Sequence, residues 1–87
     1  MNANDTNKSN FILYVKTGCP YCAAVINKME DLGLSWEEKN VADFGVYDEL
    51  SKRGEKRQEP YLVDRNTGIE MYESGPIIDY LERNYSK

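Results

Sequence analysis

The 87-residue chain contains no histidine. That absence excludes metal sites built on imidazole and Cys-His nucleophilic catalysis within the chain. Only two cysteines occur, too few for a disulfide-scaffolded secreted domain, which usually carries about two to four bridges. Basic residues are outnumbered, 11 against 15 acidic, and the net charge of -4 has the wrong sign for a protein that binds by neutralising phosphates. Nucleic acid is therefore not an expected partner. Long apolar runs are also missing: the longest, "FILYV" at residues 11–15, is far short of the roughly 20 residues a membrane helix needs. No membrane partner is expected either. The opening "MNANDTNKSN" has no apolar h-region, so nothing suggests export, and a cytoplasmic protein is the expectation.

What is present is globular composition, 40% apolar and 30% charged, in a chain too short for two cores. Residues 1–9 are polar and aperiodic, which predicts a disordered tail and leaves one domain over 10–87. "FILYV" is β-rich and apolar on both faces, the pattern of a strand covered on both sides. After the cysteines, Cys22, Val25, Ile26, Met29 and Leu32 recur at helical spacing, with Gly33 placed to end the helix. "SWEEKNV", residues 35–41, predicts a second strand. Phe44, Tyr47 and Leu50 then predict a helix begun by Asp43 and stopped at Gly54. "YLVDRNTGIEMY" is patterned as a hairpin around Asn66 and Gly68. Ser74 is placed to cap a last helix whose Ile77, Ile78, Leu81 and Tyr85 face the core. The predicted order is β-α-β-α-β-β-α: an α/β fold with a four-stranded mixed sheet and three helices.

Both cysteines fall within "KTGCPYC", Lys16 to Cys22. As a staple the pair is weak, since chain entropy gives about 2 kcal/mol for so short a loop against about 3 kcal/mol for a fifteen-residue one. Residues i and i+3 of a helix have Cα atoms about 5 Å apart, so a bond between them can open and close with little backbone motion. The pair lies where a buried strand hands over to a helix, and ligand sites in α/β sheets favour the C-terminal ends of strands. Cys22 begins the core-facing stripe, whereas Cys19 precedes the first turn. Free N–H groups, the helix dipole and Lys16 favour a thiolate at Cys19, which makes Cys19 the attacking sulfur and Cys22 the resolving one. Pro20 suits an early helical position because its missing N–H is not needed there. Two blander readings stand beside this one: a pair of small buried apolar residues, or half of a zinc site completed by a second chain. C-x-x-C beside a β-α-β pattern favours redox chemistry.

"CPYC" after a first strand resembles the active site of dithiol glutaredoxins, and the element order is that of their thioredoxin-like fold. The resemblance extends from Asn10 onward. It implies a glutathione site: Lys16 for a glutathione carboxylate, Tyr21 within the motif, Pro60 as the cis-proline facing the cysteines, and Glu59 contributing its backbone to the tripeptide. "ESGPIIDYL", residues 73–81, resembles the γ-glutamyl segment shared by glutaredoxin-like proteins and glutathione transferase N-terminal domains. By that likeness the start of the last helix and the Ser74 hydroxyl receive a carboxylate, and Glu73 pairs with the ammonium group. Arg57 is a candidate for the glycyl carboxylate or else part of a solvated charged loop. The chain departs from the common pattern where Gln58 and Glu59 replace Thr-Val, and where Glu73 and Ser74 replace a Gly-Gly pair. The second departure leans toward the transferase-like branch.

The resemblance implies a glutathione-dependent thiol-disulfide oxidoreductase acting on protein disulfides and protein-glutathione mixed disulfides. Glutathione would be a co-substrate, with no tightly bound cofactor and no metal, and a monomer is expected. Two alternatives are a redoxin recharged by thioredoxin reductase and a cluster carrier that holds an iron-sulfur cluster between two chains through Cys19 and two glutathiones. The rigid Pro20 argues against the carrier. A free-standing glutathione transferase is the least expected, because the all-helical second domain of that family is missing.

Overall fold

A computed structural model describes residues 10–56 and 58–86; the expected tail, residues 1–9, lies outside them. The chain runs β1 (Phe11–Val15), α1 (Pro20–Asp31), β2 (Glu37–Asn40), α2 (Val46–Gly54), β3 (Tyr61–Asp64), β4 (Ile69–Tyr72) and α3 (Ser74–Tyr85). The sheet order is β2-β1-β3-β4. β1 pairs parallel with β2 and antiparallel with β3, and β4 pairs antiparallel with β3. This is the four-stranded mixed sheet with three helices that the sequence predicts.

Period-two alternation explains why every residue of "FILYV" is buried. Phe11, Leu13 and Val15 face one layer with Leu62, where Val25 and Met29 of α1 meet Ile77 and Leu81 of α3. Ile12 and Tyr14 face the opposite layer with Val41, Tyr61 and Val63, and Leu50 of α2 closes it. β1 is thus covered on both faces, and its C-terminal end delivers the chain directly into the cysteine loop.

Two helix starts differ from the expectation. α2 begins at Val46 rather than at Asp43, because Gly45 at its N-cap has φ of 81°, a left-handed conformation that no helix can run through. The Asp43 carbonyl instead accepts the Val46 N–H in a turn, and Phe44 projects into solvent rather than into the core. α3 is capped by Glu73 with φ of 76° and no side-chain cap hydrogen bond, so Ser74 is its first helical residue and not its cap. Gly33, by contrast, follows the Leu32 C-cap of α1 with φ of 71° as expected. The second strand is shorter than predicted, four residues of the seven. Among the described residues no helix is long and apolar enough to cross a membrane.

Candidate active site

The loop from Lys16 to Cys19 closes with the Cys19 N–H donating to the Lys16 carbonyl at 3.2 Å. Cys19 is the N-cap of α1 in extended conformation, Pro20 follows in the first turn, and the Cys22 N–H donates to the Cys19 sulfur at 3.1 Å. A sulfur in the cap position takes the hydrogen bond that a serine or aspartate oxygen takes elsewhere, and the unpaired N–H groups favour negative charge there. The Thr17 hydroxyl accepts from the Asn40 amide at 2.8 Å, which ties the loop to the end of β2.

The two sulfurs occupy different environments, as the helical stripe predicts. Both cysteines are unbonded thiols; Cys19 is half-buried, whereas Cys22 is only 2% exposed. Burial, followed by its hydrogen bonding to Cys19, pushes the Cys22 thiol up to about 12; the Lys16 backbone opposes this, and the negative charges of Cys19 and Glu59 add smaller upward contributions. Cys22 is therefore a protonated thiol at neutral pH, while Cys19 sits at the helix end that favours an anion.

A cleft of about 410 Å³ is lined by Tyr21, Gln58, Glu59, Pro60, Glu73, Ser74, Gly75 and Pro76, and neither cysteine is in its lining. Tyr21, between the two cysteines in sequence, is 66% exposed and forms one wall. The Glu59–Pro60 peptide is cis. Because α3 has no side-chain cap and Pro76 has no N–H, the N–H groups of Ser74 and Gly75 are the ones its start offers to this cleft. The Glu59 carboxylate accepts from the Tyr47 hydroxyl of α2 at 3.0 Å.

Of the residues named from sequence, Tyr21, Glu59, Pro60, Glu73 and Ser74 come together in the cleft. Lys16 is exposed at the end of β1 and is not among its lining. Arg57 lies outside the described residues. Gly75 and Pro76 were not singled out, although they sit inside the "ESGP" segment that was. Tyr47 enters the sequence pattern only through the spacing that predicts a helix; nothing in a separation of twelve residues signals its bond to Glu59. Among the described residues no group of three or more His, Cys, Asp or Glu side chains is placed to hold a metal ion.

Comparison with known proteins agrees with this geometry. The sequence profile of the glutathione S-transferase N-terminal domain matches residues 13–87, and the chain belongs to that family. Glutathione transferase URE2P6 from Phanerochaete chrysosporium, solved in complex with oxidized glutathione, is similar at 30% identity and a TM-score of 0.78, over 92% of this chain and 38% of that one. An epsilon-class glutathione S-transferase from the housefly Musca domestica is 26% identical with a TM-score of 0.75, over 88% of this chain and 36% of the other. A glutathione transferase homolog from Drosophila mojavensis, solved with bound glutathione, is 25% identical with a TM-score of 0.76, over 91% of this chain and 36% of the other. The fold is thus thioredoxin-like, and the chain spans just over a third of the length of these structures. No curated protein sequence matches significantly. The "ESG" departure noted in the sequence is consistent with membership of the transferase-type branch.

Proposed function

We propose that the chain is a glutathione-dependent thiol-disulfide oxidoreductase built on a transferase-type N-terminal domain, acting in the cytoplasm as a monomer. The observation that carries this reading is the asymmetry of the cysteine pair: Cys19 caps a helix with its sulfur accepting an N–H, and Cys22 is buried three residues on. With a protein disulfide, the Cys19 thiolate attacks one sulfur and the other leaves as a thiolate that takes up a proton. Cys22 loses its proton and attacks the Cys19 sulfur, which releases the second substrate thiol and closes the Cys19–Cys22 bond. Two glutathione thiols then reopen that bond and leave as glutathione disulfide. With a protein-glutathione mixed disulfide, Cys19 takes the glutathionyl group and a second glutathione removes it, so Cys22 is not required.

Glutathione occupies the cleft in this reading. The Ser74 and Gly75 N–H groups and the Ser74 hydroxyl receive the γ-glutamyl carboxylate, and Glu73 pairs with the ammonium group. The Glu59 backbone meets the cysteinyl unit beside Pro60, Tyr21 forms a wall, and Lys16 and Arg57 serve the glycyl carboxylate. The oxidized glutathione and the glutathione bound in two similar structures support this occupant. Partners are disulfide-containing or glutathionylated proteins.

The family match favours a second reading, transfer of glutathione to an electrophile from the same cleft. One assay series separates the two: reduction of a glutathione mixed disulfide by glutathione, coupled to glutathione reductase, for wild type, Cys19→Ser and Cys22→Ser. The expected result is loss of at least 100-fold for Cys19→Ser, on the order of losing a covalent nucleophile, with activity retained by Cys22→Ser. Loss only in Cys22→Ser, electrons accepted only from thioredoxin reductase, or conjugation of an aryl halide outpacing reduction would each overturn the proposal.

A further inference from the structure

The cleft wall between α2 and β3 is not held by its own main chain. Gln58 and Glu59 are half-buried, Pro60 is buried, and all three line the cleft. Among the described residues, no backbone–backbone hydrogen bond outside the helices and strands involves any of them. Their backbone groups are thus open to a ligand, and the segment needs a hold from elsewhere. Upstream, the nearest fastening is the pair of bonds between Lys56 and the Tyr72 hydroxyl; downstream, the ladder begins with Tyr61 opposite Tyr14. Between these points, among the described residues, the hydrogen bond that reaches the wall is the one the Tyr47 hydroxyl donates to the Glu59 carboxylate at 3.0 Å.

Tyr47 stands on α2, packed with the layer of Tyr14, Leu50 and Tyr61, and is not in the cleft lining. Its hydroxyl therefore holds the wall from outside the cleft. We propose, on the reading that glutathione occupies this cleft, that Tyr47 is a positioning residue for glutathione: by tying down the Glu59 side chain it fixes the backbone of Gln58 and Glu59 where the tripeptide meets it.

The consequence is one of ordering. A wall released from Tyr47 samples more conformations, and binding must then fix it at a cost in entropy that the intact strap has already removed. The loss falls on glutathione affinity rather than on sulfur exchange, because the strap bears on the cleft wall and neither cysteine lines the cleft. It also gives the carboxylate before Pro60 a use: in place of an apolar side chain held by packing, Glu59 is held by a hydrogen bond to α2.

Isothermal titration calorimetry with reduced glutathione on the reduced protein tests this whether or not the enzyme turns over. Tyr47→Phe keeps the ring and removes the hydroxyl; binding is expected to weaken about 3–10-fold, the effect of losing one hydrogen bond. Glu59→Ala should weaken it similarly, and Glu59→Gln, which keeps an acceptor for the hydroxyl, should lose less. Tyr47→Phe/Glu59→Ala should bind no worse than Glu59→Ala alone, because both changes cut the same strap. In the coupled reductase assay, Tyr47→Phe should raise the glutathione KM by the same factor while kcat changes by less than about twofold. Equal affinity in wild type and Tyr47→Phe overturns the proposal even if the variant melts earlier, since a strap that serves only stability moves the melting point alone. Additive losses in the double variant overturn it too. A wild type that binds no glutathione sinks the occupant of the cleft and this role together, whereas a wild type that binds it no better than Tyr47→Phe does sinks this role alone.

Discussion

Asp64 is the buried polar side chain among the described residues, with 0% of its surface exposed. Its Oδ2 accepts from the hydroxyls of Tyr80 at 2.6 Å and Tyr85 at 2.5 Å, and its Oδ1 accepts from the Asn66 N–H at 2.9 Å. Burial opposes its charge, but the hydrogen bonds from Tyr80, Tyr85, Asn66 and Thr67 outweigh it and hold the carboxyl below the ordinary aspartate value of 3.8. A lowered folded value means that the stabilisation is complete above 3.8 and is lost as pH falls through the folded value. Asp64→Asn replaces one acceptor by an NH₂ group and deprives either the tyrosines or the turn of a partner, at a cost of about 2–3 kcal/mol near neutral pH. Thermal unfolding from pH 7 downward should show the gap between wild type and Asp64→Asn narrowing below pH 3.8; a gap that holds or widens in acid contradicts this account. At this scale the cysteines were legible because four letters fix both spacing and helical phase. Asp64 was not, because an aspartate before "RNTG" looks like an ordinary turn residue, and its partners lie 16 and 21 residues away.

The elements were legible wherever burial set a period and illegible where the backbone alone decided. Gly45 and Glu73 adopt positive φ, so α2 starts later than its apolar spacing suggests and Ser74 enters α3 instead of capping it. At the other end of α2, Gly54 supports a contact that no local pattern announces. A Cβ built there would stand 2.3 Å from the Tyr72 hydroxyl and 2.8 Å from its ring carbon. That hydroxyl accepts from the Lys56 N–H at 3.1 Å and donates to the Lys56 carbonyl at 2.8 Å, fastening the end of α2 to β4. Gly54→Ala should therefore destabilise by about 1–3 kcal/mol through overpacking, although helix propensity alone favours alanine by about 1 kcal/mol. The expected check is a double-mutant cycle: in a Tyr72→Phe background, without the hydroxyl and its tether, the Gly54→Ala penalty should shrink by at least about half. An undiminished penalty would place the conflict with the ring carbons that Tyr72→Phe leaves in place, Cζ of residue 72 at 2.8 Å and Cε1 of Tyr61 at 3.0 Å.

On the scale of the whole molecule, one sheet separates two apolar layers of unequal support. α1 and α3 pack on each other and on one face, whereas α2 stands alone on the other with Leu50 as its single fully buried side chain. Compensation for α2 comes from polar straps: Glu49 accepts from Tyr14 and, at 2.8 Å, from Lys39, and Arg53 donates to Glu70 at 3.0 Å. The layers share β1, where neighbouring Leu13 and Tyr14 face opposite sides, and neither layer retains its wall if β1 leaves the sheet. A domain of this size is expected to unfold in one step. Trp36 packs against the α1/α3 layer and so reports a face that α2 does not touch. Leu50→Ala, a cavity on the far face worth roughly 2–5 kcal/mol, should shift the denaturant midpoint read by Trp36 fluorescence as far as the midpoint read by far-UV circular dichroism. If Trp36 keeps its wild-type midpoint while circular dichroism acquires an earlier transition, α2 melts as a separate unit. The hold of Tyr47 on Glu59 would then be lost before the cysteine site itself unfolds.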